Sequence, residues 1–310
     1  MKLGYDKRLY LVAFDHRSSF SKGLFGATEP LSPEIERRVG DTKELIFEAF
    51  QEALKDGAPR DVCGVLVDEQ FGTPVARAAK AGGILLAMPV ERSGQEEFQF
   101  EYGDAFGDHI EAFDPDFSKV LVRYNPEGDH DLNRRQTVKL ARLSDWLHAH
   151  DRRFLFELLV PPTPAQLARF GGGDGGQARY DRELRAGLVV ETLRALQEGG
   201  VEPDIWKIEG LETSADCLRV VAQARSGSGR GGVGCIVLGR GASLERVLAW
   251  LAAAAPVEGF IGFAVGRTEW QEALKGYVSG QRSREETRRE IAERYLHMIR
   301  AYVADAGAMA

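Results

Sequence analysis

Cysteine is scarce in this 310-residue chain: Cys63, Cys217 and Cys235 are odd in number and far apart. Such spacing excludes a disulfide framework or a zinc cage, fits a reducing cytoplasm, and predicts three buried core thiols. Long apolar runs are also lacking. None reaches the ~18 residues that a membrane-spanning helix needs, and the opening MKLGYDKRLY has no apolar signal-peptide core. A cytoplasmic chain that touches no membrane is therefore expected. There is no basic excess. With 40 Lys+Arg against 47 Asp+Glu the net charge is −7, which argues against nucleic acid as a partner. A phosphate needs only a few local donors, so an anionic small molecule stays compatible. HExxH, CxxC, GxxxxGK[ST] and GxSxG patterns are missing and the six histidines are scattered, so no metal is expected.

What is present is an ordinary globular balance, 44% apolar and 28% charged, enough for a sizeable core and incompatible with global disorder. Eight short apolar runs recur: 9–14, 64–67, 84–88, 120–124, 154–159, 204–208, 235–238 and 260–265. They are continuous rather than alternating, as in strands buried on both faces. Helical stretches lie between them, the first opened by Ser32 as cap with Pro33 behind it and closed at Asp56-Gly57. Others are expected near 73–81, 109–112, 134–149, 181–197, 214–224 and 244–255. The alternation predicts an α/β protein, a single (β/α)8 TIM barrel over 1–310 with an extra C-terminal helix. A doubly wound sheet would want GxGxxG after its first strand, where Asp15-His16-Arg17-Ser18 stands instead. The segment 284–302 sets Ile291, Tyr295, Met298, Ile299 and Tyr302 on one face. Periodicity leaves open whether this face covers the barrel bottom or a second copy in a homo-oligomer. Glycines 171–173, 175 and 176 follow the fifth run, either as a mobile lid or as a flexible surface insertion.

In such a barrel chemistry sits at the strand ends. Lys207 lies in the sixth run, where burial disfavours an ammonium group. It reads either as a Schiff-base nucleophile or as an ion pair with Glu157 or Glu209. At an ordinary pKa of ~10.4 only ~0.1% of the amine is neutral at pH 7.4. A nucleophilic role therefore needs help, from burial and from Arg123 at the end of strand four. Glu157 on strand five is the candidate acid/base. Asp15 either binds a substrate hydroxyl or caps a local helix. Gly239-Arg240-Gly241 and Gly266-Arg267 end strands seven and eight, where barrels often hold phosphate. Turn glycines beside solvated arginines are the plainer alternative.

The segments AFDHR (13–17), VDEQFG (67–72), ERSG (91–94), VRYNPE (122–127), FELLVP (156–161), WKIEG (206–210), LGRGA (238–242) and FAVGRTEW (263–270) resemble the class I aldolase domain of bacterial inositol catabolism. That domain is similar to 5-keto-2-deoxygluconate 6-phosphate aldolase, and its wider relatives are class I tagatose-1,6-bisphosphate aldolases. The resemblance implies a TIM barrel and a metal-free aldolase with no cofactor beyond a covalent imine on Lys207. It puts Glu157 in the acid/base position, Asp15 at the strand-one acid, Glu91 in a substrate-binding segment, and Arg267 with Gly239, Arg240, Gly241 and Gly266 on phosphate. Glu69 falls in the strand-two loop. The tagatose-type enzymes carry lysine where Arg123 is placed, a departure. The implied partner is a phosphorylated keto-sugar acid. Another ketose phosphate, with Arg17 and Arg92 facing a second anion, is the alternative within the class. An isomerase, an epimerase or a non-catalytic sensor on the same barrel is the alternative outside it.

Overall fold

The computed structural model describes residues 2–307. Eight parallel strands close into a barrel in chain order: β1 (Leu9–Ala13), β2 (Cys63–Leu66), β3 (Leu85–Pro89), β4 (Phe117–Arg123), β5 (Arg153–Leu159), β6 (Ile205–Glu209), β7 (Gly234–Leu238) and β8 (Phe260–Val265). Helices α1 (Ser18–Phe25) and α2 (Pro33–Lys55) follow β1, α3 (Glu69–Ala81) follows β2, α4 (Phe106–Phe113) follows β3, and α5 (His130–Ala149) follows β4. Three helices follow β5: α6 (Pro164–Arg169), α7 (Gly173–Glu183) and α8 (Arg185–Glu198). Then come α9 (Ser214–Ala224), α10 (Leu244–Ala254), α11 (Arg267–Val278) and α12 (Arg284–Gly307). The expected (β/α)8 barrel with an added C-terminal helix is what the chain forms. Ser32 caps α2 as its sequence predicts, its side chain accepting from the Ile35 amide at 3.3 Å. All three cysteines are free and buried. No helix among the described residues is long and apolar enough to cross a membrane.

The two-residue pleat sorts each strand. Leu9, Leu11, Ala13, Leu66, Ala87, Phe117, Leu155, Ile205 and Ile236 fill the inside of the barrel. Tyr10, Val12, Val65, Phe156, Trp206 and Val237 face the helices. Two residues past an inward apolar side chain, at the C-terminal end, come Asp15 after Ala13, Lys119 after Phe117, Glu157 after Leu155 and Lys207 after Ile205. A dry plug below thus hands over to a charged layer above.

Two expectations need correction. β4 begins at Phe117, not Val120; Ser118 and Lys119 interrupt its apolar run although both are buried. The helix expected over 181–197 breaks at Leu184, where α7 ends and α8 begins. The glycine-rich stretch is no loose insertion, because α7 starts inside it at Gly173. Tyr180 fastens this helix by burying its ring and donating to the Val160 carbonyl at 2.7 Å. The α12 helix lies over the seam where β8 meets β1, packed on α2, α10 and α11. Its Tyr295 hydroxyl donates to the Tyr10 carbonyl at 2.8 Å and its Tyr302 hydroxyl to the Phe260 carbonyl at 2.9 Å.

Candidate active site

At the C-terminal mouth of the barrel three carboxylates surround one ammonium. Lys119 Nζ lies 2.8 Å from Asp15 Oδ2, 2.8 Å from Glu91 Oε1 and 2.9 Å from Glu157 Oε2. The other oxygen of Glu157 lies 2.9 Å from Lys207 Nζ. The register of the sheet makes that pairing, since Glu157 stands directly opposite Lys207 across β5 and β6. All five groups are buried. Burial opposes ionisation of Asp15, but Lys119, His16 and Lys207 outweigh it and hold the carboxyl well below the usual range. Burial opposes Glu157 as well, and Lys119 and Lys207 again keep it low. Glu91 behaves differently: burial wins over Lys119 and Arg17, and its carboxyl is pushed up. Lys119 is held firmly charged, because its three acids overcome the burial penalty.

These side chains line a cavity of about 180 Å³, with Arg17, Arg92 and Arg123 at its edge. A second cavity of about 280 Å³ shares His16, Glu157 and Lys207 and runs to Gly239, Arg240, Gly241, Gly266 and Arg267. The two expected constellations, chemistry on one side and glycine-arginine pairs on the other, therefore meet at Lys207. Close approach explains two of the glycines. A Cβ on Gly266 would stand 2.3 Å from the Ala13 carbonyl, and one on Gly241, at φ +71°, 2.8 Å from the Arg267 guanidinium carbon. Arg267 opens α11, whose free amides favour an anion.

Not every expected role survives. In the sheet register Leu121, not Arg123, is level with Glu157, so Arg123 sits one pleat above the lysine it was expected to influence. It is exposed, and its guanidinium donates to the Gln95 carbonyl at 3.1 Å. The cation beside Glu157 is Lys119. β4 thus presents a lysine of its own to the site, four residues before Arg123. Arg240 has a backbone φ of +54°, and its guanidinium is engaged by Asp181 of α7 at 2.9 Å and by Glu209 at 3.1 Å. Glu209 pairs with Arg240 and also accepts from the Val160 amide at 2.9 Å, which removes it as the partner of Lys207. Arg17 is tied to Glu101 at 2.8 Å and to the Glu91 carbonyl at 2.6 Å, leaving Arg92 as the uncommitted arginine of that pair. Glu69 opens α3 outside the barrel and pairs with His109 at 3.0 Å. Asp15 binds Lys119 rather than capping a helix.

Two residues were missed at the sequence level. Lys119 hides at the polar start of β4, although it is in phase with Leu121. Lys43 of α2 is fully buried, donating to the Phe14 and His16 carbonyls at 2.8 and 2.9 Å and pairing with Asp68. It fixes the end of β1 from behind. Among the described residues no group of three or more His, Cys, Asp or Glu is placed to hold a metal ion.

A family model described as an uncharacterized protein conserved in bacteria (DUF2090) matches residues 4–305. The chain belongs to the DUF2090 family. Among curated proteins, this DUF2090 chain is similar to tagatose 1,6-diphosphate aldolase 2 of Streptococcus pyogenes serotype M1, at 22% identity over 214 residues, 67% of this chain. The matched stretch spans 59% of that relative's length. The same figures hold for the serotype M18 protein. Among solved structures the DUF2090 barrel superposes on fructose-bisphosphate aldolase of Plasmodium falciparum with a TM-score of 0.68 at 14% identity, covering 99% of this chain and 92% of that one. A Schiff-base-forming fructose-1,6-bisphosphate aldolase matches at a TM-score of 0.54 and 15% identity, covering 92% and 93%. The barrel fold is shared with these two aldolases, and the sequence similarity to tagatose 1,6-diphosphate aldolase 2 is distant.

Proposed function

We propose that this chain is a Schiff-base aldolase that cleaves a phosphorylated keto-sugar acid. The substrate would be 6-phospho-5-dehydro-2-deoxygluconate, and the products dihydroxyacetone phosphate and malonate semialdehyde. The observation that carries the reading is the buried Lys207 amine, 2.9 Å from one oxygen of a carboxylate whose other oxygen is held by Lys119. Lys207 attacks the ketone. Glu157 is within hydrogen-bond reach of that nitrogen, as a group that moves protons in carbinolamine dehydration and imine hydrolysis must be. The protonated imine draws in the electron pair of the breaking carbon–carbon bond, so no separate cofactor is invoked.

Cationic side chains at both ends of the site support the substrate class. Arg267 and the start of α11 face the cavity at one end. Arg92 and Arg123 line the other, where an incoming carboxylate would compete with the Gln95 carbonyl for Arg123. The streptococcal relatives favour a second reading, a ketose bisphosphate, in which the same two arginines take a second phosphate.

The test is borohydride reduction in the presence of dihydroxyacetone phosphate, followed by intact mass and peptide mapping. The expected result is one reduced adduct, on Lys207, absent from Lys207→Ala. Turnover that persists in Lys207→Ala would reject the reading. A panel of sugar-acid phosphate and ketose bisphosphate then separates the two substrates.

A further inference from the structure

We infer that His16 is a catalytic residue of this site, the base that takes the substrate hydroxyl proton when the carbon–carbon bond breaks. The inference rests on the aldolase reading and adds to it. His16 follows Asp15 at the end of β1 and lines both cavities, the one around Lys207 and Lys119 and the one leading to Arg267. A substrate joined to Lys207 with its phosphate at Arg267 passes its ring. Among the described residues Nδ1 has no hydrogen-bond partner, although it is shielded from solvent. Nδ1 is thus sealed from the cavity, and Nε2, neither buried nor bonded among the described residues, is the ring nitrogen that a ligand hydroxyl can reach.

The other acid–base groups are already engaged. Asp15 is bound by Lys119, and Glu157 by Lys119 and Lys207. Glu91 lines the first cavity alone. The ring of His16 is also held in place. Its edge meets the Trp270 ring at 5.5 Å and 78°, and its carbonyl accepts from Lys43 at 2.9 Å. Gly266 leaves it room, since a Cβ there would lie 3.2 Å from Cε1.

Burial keeps the imidazole neutral, with its pKa lowered to about 4; Arg267 and Lys207 push the same way, against Asp15 and Glu157. A phosphate dianion paired with Arg267 removes part of that push. The ring therefore gains proton affinity when a phosphorylated substrate is seated. In the step itself the hydroxyl proton passes to the imidazole and the O–H pair becomes the second bond of the aldehyde carbonyl. The pair of the broken carbon–carbon bond moves into the iminium to give the enamine. The imidazolium then returns its proton to the enamine carbon and restores the iminium. No net proton or electron is gained.

The experiment compares the parent protein with His16→Gln and His16→Asn. Each is given dihydroxyacetone phosphate, with borohydride to trap the imine, and in deuterated water to follow exchange at the carbon beside the imine. The expected variants keep the Lys207 adduct, which certifies a folded site, while exchange falls ~100- to 10,000-fold, the span of general acid–base catalysis. A fall of less than ~10-fold, short of that span, overturns the inference and leaves the aldolase reading standing. Loss of the adduct in both variants also overturns it, because His16 would then be positioning Lys207. Absence of an adduct in the parent removes the aldolase reading and this inference with it.

Discussion

A single ammonium, that of Lys119, holds three carboxylates together at the mouth of the barrel. Replacing Lys119 with Met leaves buried acids without their cation, a change expected to cost ~3–5 kcal/mol of stability. Urea denaturation at pH 7 measures it. The sign of the pH dependence follows from Asp15 and Glu157, whose folded carboxyls are held low. Their contribution is present above the ordinary carboxylate range and is lost as pH falls through the folded values. The gap between parent and Lys119→Met is therefore expected to narrow on acidification. The two arginines beyond Lys207 are expected to separate cleanly. On the proposed aldolase reading, Arg267→Ala removes a charge-assisted phosphate contact of ~1.5–3 kcal/mol, seen chiefly as a raised KM. Arg240→Ala leaves Glu209 buried without its guanidinium, so its effect belongs in the unfolding curve more than in KM. Steady-state kinetics beside melting curves on both variants decides.

At the scale of elements, α11 carries a second buried carboxyl of a different kind. Glu269 is fully buried with no hydrogen-bond partner on either oxygen among the described residues, and burial pushes its carboxyl well above the usual range. A carboxyl raised on folding destabilises progressively as pH climbs above its unfolded value, by up to ~1.4 kcal/mol per pH unit until the folded value is reached. Glu269→Gln has no such dependence. It is expected to match the parent near pH 4 and to be the more stable protein at pH 7, as urea midpoints at the two pH values would show. This group is not visible in the sequence, which shows no expected helix between 244–255 and 284–302 and gives Glu269 no local mark of burial. The strands were far more visible. Both faces of each are buried, so apolar residues run on unbroken, and β8 is found at its true bounds, Phe260–Val265. The reading failed where burial and polarity part company. Lys119 broke the run of β4 because its burial is balanced by acids from β1, the β3 loop and β5, and such pairing across strands leaves no mark in a local window. The break at Leu184 and the docking of α7 through Tyr180 are tertiary for the same reason. Lys207 and Glu157 were findable, since a charge inside an apolar run is anomalous by itself.

At the scale of the whole molecule, β1 and β8 zip together along a seam that α12 covers. Tyr10 and Tyr295 meet across that seam, as do Phe260 and Tyr302. Ending the chain after Ser283 uncovers Tyr10, Phe50 and Phe263, whose rings meet those of Tyr295 and Tyr302 edge-on or tilted. The truncated chain is expected to lose its cooperative melt and near-ultraviolet circular dichroism while keeping helical signal, as loosely packed states do. The seam also sets an order of events. β1 leaves the ribosome well before β8 and α12, which cover it on one side: Arg8 reaches Tyr302, 294 positions away. Contacts of such sequence separation are slow to form and leave edges unpaired meanwhile. During synthesis the β1 edge stays open until β8 has emerged. A nascent chain lacking β8 and α12 thus presents an unpaired strand edge and an unclosed barrel mouth.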